Sequence, residues 1–216
     1  RVIQMQRNDG FTAAANAALR DWMSGTARFC VIGSHDLHLS HGALALMRRA
    51  MESNPSIGIA GPTLRHDNQM PTALPGVEEV DWISGTCMML RRECIREVGL
   101  FDERYKSYAE DFDMCARARQ KGWTVVVARK ATAHGLGTAH GGQSPRRMAN
   151  SVLFDIKRYG YRGGLHTLIN ILRSIPAAIR RRRWRNAVAA AVALPIGVKH
   201  LVTYRRKHPA ARNPWL

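Results

Sequence analysis

The sequence predicts an α/β domain followed by a basic helical extension, and three observations lead there. First, short apolar runs bounded by turn residues alternate with segments of helical apolar spacing, the pattern of a mostly parallel, Rossmann-like sheet flanked by helices. Second, charge divides the chain: residues 1–144 hold 17 Lys+Arg against 15 Asp+Glu, whereas residues 145–216 hold 16 against one, Asp155. Third, Glu110, Asp111 and Asp113 open a predicted helix between aromatic residues. A hydrophobic share of 45% is that of a globular chain rather than a disordered one. The length suits one domain, 1–144, plus an extension, 145–216. Cys30, Cys87, Cys94 and Cys115 show no CxxC spacing. They read as packed thiols of a reduced compartment rather than a disulfide framework.

Residues 1–6 alternate apolar and polar side chains, as a strand does. Asn8-Asp9-Gly10 signals a turn. The alanine-rich run from Phe11 to about Trp22 is a helix. Its small residues either let it pack close to a sheet or nucleotide or simply reflect high helix propensity. Arg28–Gly33 is a continuous apolar run, expected as a buried parallel strand. It ends at Ser34-His35-Asp36-Leu37-His38, and polar groups at the carboxyl end of such a strand are where open α/β sheets bind ligands. Asp36 suits a hard divalent cation. His35 and His38 read as hydrogen-bonded surface residues ahead of metal ligands.

Ser40 or His41 opens a helix over 42–52, with Leu44, Met47 and Met51 on one face, and Asn54-Pro55 ends it. Residues 57–62 form a short buried strand, and 63–79 a loop or irregular hairpin. In Val80–Arg92, apolar residues flank Ser84-Gly85-Thr86. Glycine inside a strand pattern marks close approach by a ligand or another backbone. Trp82 either stacks on a sugar face or fills the core. A helix over 93–98 ends at Gly99, a C-cap. The acidic stretch then leads a helix over 112–120, stopped by Gly122, and 123–128 is a strand. Residues 134–144 are a glycine-rich loop carrying His134 and His140, of a kind whose backbone N–H groups can approach phosphate oxygens.

The three carboxylates allow two readings. Acidic residues at a helix N-terminus are favoured by the dipole, by about 0.3–1 kcal/mol each. Alternatively, a like-charged neighbour raises the basicity of one of them and makes it a general base.

Four motifs stand in one order: Asn8-Asp9-Gly10-Phe11 with Asn16; Gly33-Ser34-His35-Asp36; Trp82-Ile83-Ser84-Gly85-Thr86 through Arg92; and Gly99-Leu100-Phe101-Asp102-Glu103 with Glu110-Asp111-Phe112-Asp113 through Arg117. The set resembles the family 2 inverting glycosyltransferases of the GT-A fold, in particular the bacterial rhamnosyltransferase-like members, over roughly residues 3–145. The resemblance implies a nucleotide-sugar donor, a Mg2+ or Mn2+ ion and a glycan or lipid-linked acceptor. It also implies single displacement with inversion, in cell-wall or polysaccharide synthesis. It makes Asp111 the catalytic base, with Glu110 its partner near the acceptor. Asp36 becomes the metal ligand at the diphosphate, and His134 a second group there, with His140 its competitor. Ser34 stands where many members carry Asp or Asn for ribose contact. Trp82, Ser84 and Gly85 line the donor–acceptor cleft, and Asn8, Gly10, Phe11 and Arg117 fall among the ligand-contacting positions. Such enzymes usually open with a strand–helix–strand unit that grips the nucleotide base. This chain begins after it, so a partial GT-A domain that binds donor weakly by itself is expected. A non-catalytic glycosyltransferase-like module is the alternative.

In the extension, Leu165–Ile179 leads to Arg180-Arg181-Arg182-Arg183-Trp184-Arg185 and then an apolar run over 187–198 containing Pro195. That run is short of the roughly 20 residues that span a bilayer. Apolar helices beside arginines and a tryptophan predict association with an anionic membrane surface, at the cytoplasmic face of the cell membrane. A helical appendage packed on the domain with a solvated basic face is the plainer reading. Nucleic acid, through Trp184 and Tyr204, is a third, with no recognised motif behind it.

Overall fold

The computed structural model describes residues 2–65, 71–135 and 144–207. They form two compact units. One comprises the chain up to Lys106 and from Glu110 through the last strand; the other comprises Ser107–Ala109 and the two long C-terminal helices.

The first unit runs α1 (Phe11–Ser24), β1 (Phe29–Gly33), β2 (Leu37–Leu39), α2 (Ala43–Ser53), β3 (Ile57–Arg65), β4 (Val77–Glu79), β5 (Cys87–Arg91), α3 (Arg92–Val98), α4 (Glu110–Gln120) and β6 (Thr124–Gly135). The sheet order is β1-β5-β3-β6-β2, with β4 also on β6. The fold is mixed α/β, but the expectation of a mostly parallel sheet fails. Only β3–β6 is parallel among the described pairings; β1–β5, β3–β5, β2–β6 and β4–β6 are antiparallel. A parallel pair needs a crossover, usually a helix. Among the described residues no helix separates β3 from β5, so the chain turns back and β5 runs against both neighbours.

Strand β5 is buried on both faces and sorts its side chains by period two. Met88 and Leu90 join Leu19, Ile59, Met114 and Val125 on one face. Met89 joins Met47, Met51, Ile57, Ala60 and Val126 on the other. Two further expectations are corrected. Residues 2–6 take no strand conformation. Strand β1 is not a buried parallel strand: it ends the described sheet path, antiparallel to β5, with Val31 38% exposed.

The buried Arg91 and Arg92 close helix ends. Arg91 donates to the Ile57 carbonyl at 2.6 Å and to the Met51 and Asn54 carbonyls at the end of α2. Arg92 donates to Trp22, Met23 and Ala27 at the end of α1. Cationic donors there satisfy carbonyls left over by the helix and face its negative pole.

The second unit is α5 (Pro145–Arg180), broken at Gly160 (φ 71°, ψ −170°), and α6 (Trp184–Lys207). Ser144 caps α5, its Oγ accepting from Arg147 N at 3.4 Å, with Pro145 in the first turn. Asn150 donates to the Ser107 and Tyr108 carbonyls at 2.8 and 2.7 Å. It thereby holds a segment in which Tyr108 and Ala109 adopt the left-handed φ values of 70° and 71°, a conformation costly without glycine. The apolar run is longer than expected. Helix continues through Pro195, and Trp184–Tyr204 spans 21 residues at mean hydropathy 1.5, long and apolar enough to cross a membrane by length and composition.

Candidate active site

The three carboxylates at the start of α4 have three different environments. Asp113 is structural. Buried at 2% exposure, it accepts from Arg117 Nε at 2.8 Å and from the Tyr105 hydroxyl at 3.3 Å. The remaining Arg117 contacts run to the Val98 and Leu100 carbonyls at 2.5 and 2.9 Å. Arg117, expected among the ligand-contacting residues, holds α4 to the end of α3 through internal groups. A buried carboxylate and guanidinium four residues apart satisfy each other.

Asp111 accepts from the backbone N–H of Gly85 at 2.9 Å through Oδ2 and from Phe112 N at 2.9 Å through Oδ1. Glu110 is only 7% exposed and its Oε2 is buried without a hydrogen-bond partner. Burial first, and the neighbouring Asp111 charge second, push its carboxyl up to about 7. Two adjacent acids are thus driven apart in role, one engaged by backbone donors and one kept protonated towards neutral pH. Such separation is how a protein prepares acid–base chemistry.

The loop before β5 is stapled to this helix. Trp82, 43% exposed, stacks on Phe112 with centroids 4.1 Å apart. Ile83 N donates to Cys115 Sγ at 3.4 Å. Ser84 Oγ donates to Thr86 Oγ1 at 3.0 Å and shapes the turn around Gly85. A Cβ on Gly85 would lie 3.6 Å from both Asp111 Oδ2 and Glu110 Oε1. That is ordinary contact, and Gly85 has no left-handed φ, so Gly85→Ala is expected to fold with an unchanged melting temperature. Its methyl group would stand against both carboxylates and lower any proton-transfer activity at least about tenfold, because small misplacements of reacting groups are costly. A parallel melting curve and turnover assay checks this.

The same loop reaches the Asp36 motif. Ser34 N donates to the Thr86 carbonyl at 3.0 Å, one residue past β1. The Ser34 hydroxyl, ahead of the positive charge His35 and His38 can carry, holds Asp36 below the usual carboxylate range. No well-formed hydrogen bond satisfies the buried Ser34 Oγ itself. Directly after Asp36, β2 pairs with the end of β6, bringing His38 opposite His134. Their rings stack at 4.9 Å and 9°, and His134 Nδ1 is buried without a partner. Asp36 and His134, 98 positions apart, therefore reach one end of the sheet. Among the described residues no cluster of three His, Cys, Asp or Glu could hold a metal. An oxygen donor and an unengaged imidazole nitrogen do fit a divalent cation that keeps water and substrate phosphate as its other ligands.

Other expected residues lie elsewhere. Asn8 Oδ1 accepts from Gly10 N at 3.1 Å. Gly10 (φ 97°) presses against Lys106, whose carbonyl would sit 2.7 Å from a Cβ. Phe11 meets Phe101 edge-on at 6.0 Å. All three shape the start of α1. Asn16, also quoted in the motifs, locks the 101–103 loop through the Phe101 backbone and Glu103. His140 lies outside the described residues. An open hollow of about 720 Å³ beside Trp82 is lined by Glu79, Val80, Asp81 and Arg119. Thr86 and Cys115, which stand in the quoted motifs without an assigned role, complete the loop's attachment.

The family model described as glycosyl transferase family group 2 matches residues 69–194, more than half of the chain. The chain belongs to this glycosyltransferase family. It is 25% identical, over 174 aligned residues, to N-acetylglucosaminyl-diphospho-decaprenol L-rhamnosyltransferase from two strains of Mycobacterium tuberculosis, covering 61% of this chain and 57% of the relative. The chain thus spans little more than half the length of these curated relatives. Two solved glycosyltransferases share the fold. GalNAc-T7 with UDP, GalNAc and Mn2+ matches at TM-score 0.60 and 11% identity, over 73% of this chain and 36% of that one. The mannosyltransferase PcManGT from Pyrobaculum calidifontis with GDP-Man and Mn2+ matches at TM-score 0.50 and 16% identity, over 100% and 59%. The family resemblance carried by the motifs is borne out, and the first unit has the GT-A type of mixed α/β fold.

Proposed function

We propose that this glycosyltransferase-family chain moves a sugar from a nucleotide-sugar donor to a lipid-linked glycan acceptor with inversion, using a divalent cation. The chemistry lies in residues 1–144, with 145–216 as an extension, at the cytoplasmic face of a membrane where such an acceptor is presented. One observation carries the reading. The loop Ser84–Thr86 binds the Asp111 carboxylate through Gly85 N and the Asp36 segment through the Thr86 carbonyl. A base and a candidate cation ligand are tied to one short piece of backbone.

In this reading, Asp111 takes the proton of the acceptor hydroxyl as that oxygen attacks the anomeric carbon. The bond to the donor phosphate oxygen breaks on the opposite face, and the nucleoside diphosphate leaves. Gly85 N holds the carboxylate in place, and Glu110 stands beside it, protonated below about pH 7 and a second charge above. Trp82 and Phe112 offer a flat surface to a sugar ring. Asp36 and His134 would hold the cation. A bound Mg2+ or Mn2+ supplies charge stabilisation of the leaving diphosphate. The Mn2+ bound in the two structural neighbours and the lipid-linked acceptor in the rhamnosyltransferase's name support the proposal.

The test is transfer of labelled sugar from a panel of nucleotide sugars to an N-acetylglucosaminyl-diphospho-polyprenol. Product of inverted anomeric configuration is expected, lost in EDTA and restored by Mn2+. Product of retained configuration, or transfer indifferent to EDTA, would overturn the mechanism; no transfer with any donor would favour a non-catalytic module.

A further inference from the structure

The second unit carries apolar surface that its own packing does not use. Helices α5 and α6 pack on each other through residues such as Val152, Ile156, Ile171, Ala190, Ala193 and Leu201. They approach closely: a Cβ on Gly164 would lie 3.2 Å from Leu201 Cδ2, and one on Gly197 2.9 Å from Leu168 Cδ1. On the outside, Leu165, Ile169, Leu172 and Ile179 of α5 are 38%, 38%, 54% and 42% exposed. Steps of three, four and seven put them on one stripe of the helix. On α6, Trp184, Val188, Val192 and Ile196, each four residues on, are 60%, 61%, 48% and 37% exposed. Single exposed apolar residues need no explanation, but two helical rows in one unit do.

Charge says what covers them. Arg173 and Arg180 each follow a row member by one residue, about 100° further around α5. The turn between the helices is Arg181-Arg182-Arg183, preceded by Arg180 and followed by Arg185. Residues 145–216 hold 16 basic residues against one acidic. A second copy of the chain would bring the same positive charge to the apolar rows. Nucleic acid would use the arginines and leave the rows in water. A bilayer with anionic headgroups takes both. Although Trp184–Tyr204 is long enough to span, 39% of its most apolar window is buried, and Lys199 interrupts the outward side. Two helices packed on each other, with exposed apolar rows and a cluster of arginines at the turn between them, suit a unit lying in the membrane plane.

We propose that the second unit docks on an anionic membrane surface, its exposed α5 and α6 rows at the acyl boundary and its arginine turn on the headgroups. This gives a surface to the lipid-linked acceptor reading above, but lipid binding is measured without sugar transfer, so either can fail alone.

The experiment is flotation of the full chain at physiological salt with phosphatidylcholine vesicles, with and without phosphatidylglycerol. Strong flotation is expected only with phosphatidylglycerol. The pair Leu172→Glu and Val188→Glu, at exposed sites, should abolish it without changing the melting temperature. The triple replacement of Arg181, Arg182 and Arg183 by Ala should weaken it about 10²-fold, from about 1 kcal/mol for each basic residue near the surface. Flotation unchanged by the glutamates overturns the proposal. So does retention in membranes after alkaline carbonate, which would mean a spanning helix. Failure to float combined with self-association or with an RNA mobility shift overturns it in favour of a second copy or of nucleic acid.

Discussion

Asp111→Asn is expected to lower sugar transfer by about 10²–10⁴-fold, the contribution of one well-placed general base, at a cost in stability of roughly 1–2 kcal/mol. Gly85 N donates to Oδ2 and Phe112 N to Oδ1, at 2.9 Å each, so the single amide oxygen keeps one of these contacts and the other is lost, at about 0.5–1.5 kcal/mol. Removing one acid from the first turn of α4 costs about 0.3–1 kcal/mol, and loss of repulsion with Glu110 offsets part of it. An amide cannot take up the acceptor's proton, so the loss should fall on turnover rather than on donor binding. Asp113→Asn is the contrasting variant. It leaves Arg117 without its buried counter-charge, so its effect should appear in the melting temperature. Rate measurements on both separate catalysis from folding. Unchanged turnover in Asp111→Asn would remove this carboxylate from the mechanism.

The helices were legible in the sequence because their apolar residues recur on one face and glycines stop them. Gly99 and Gly122 do take the left-handed φ values, 82° and 84°, that end α3 and α4. Strand direction was not legible. An apolar run such as Cys87–Arg91 is the same run whether its neighbours are parallel or antiparallel, and only the route between β3 and β5 decides. Membrane-length helix in α6 was hidden by Pro195 and Lys199, which interrupt the apolar run without interrupting the helix. In the site, the clustering of Glu110, Asp111 and Asp113 pointed to acid–base chemistry, but spacing cannot say which acid is buried with a partner. Arg117, four residues after Asp113, makes that choice. The meeting of Asp36 with the end of β6 depends on β2–β6 register, a non-local pairing that local pattern does not encode. The attachment of Ile83 to Cys115 is equally non-local.

Glu110→Gln is expected to flatten the pH dependence of stability. The folded carboxyl titrates near 7 against 4.5 for the ordinary group. Between those values the folded chain keeps a proton that the unfolded chain releases, so stability is highest below about 4.5 and falls as pH rises through 7. The whole drop is on the order of 3 kcal/mol. Glutamine has the shape of the protonated acid and never ionises. The variant should match the wild type near pH 4.5 and exceed it at pH 8 by up to about 3 kcal/mol, or about 6–12 °C for a chain of this size. Catalysis should respond in the opposite sense. When Glu110 ionises it adds a negative charge beside Asp111 and strengthens that base, so wild-type transfer should rise through pH 7 and the variant's rise should be smaller. Because the two acids interact, the inflection belongs to the pair. Thermal denaturation and rate profiles across pH 5 to 8 measure both effects. A stability difference that does not change with pH would show that burial does not hold Glu110 neutral, and Asp111 would then act beside a permanently charged neighbour.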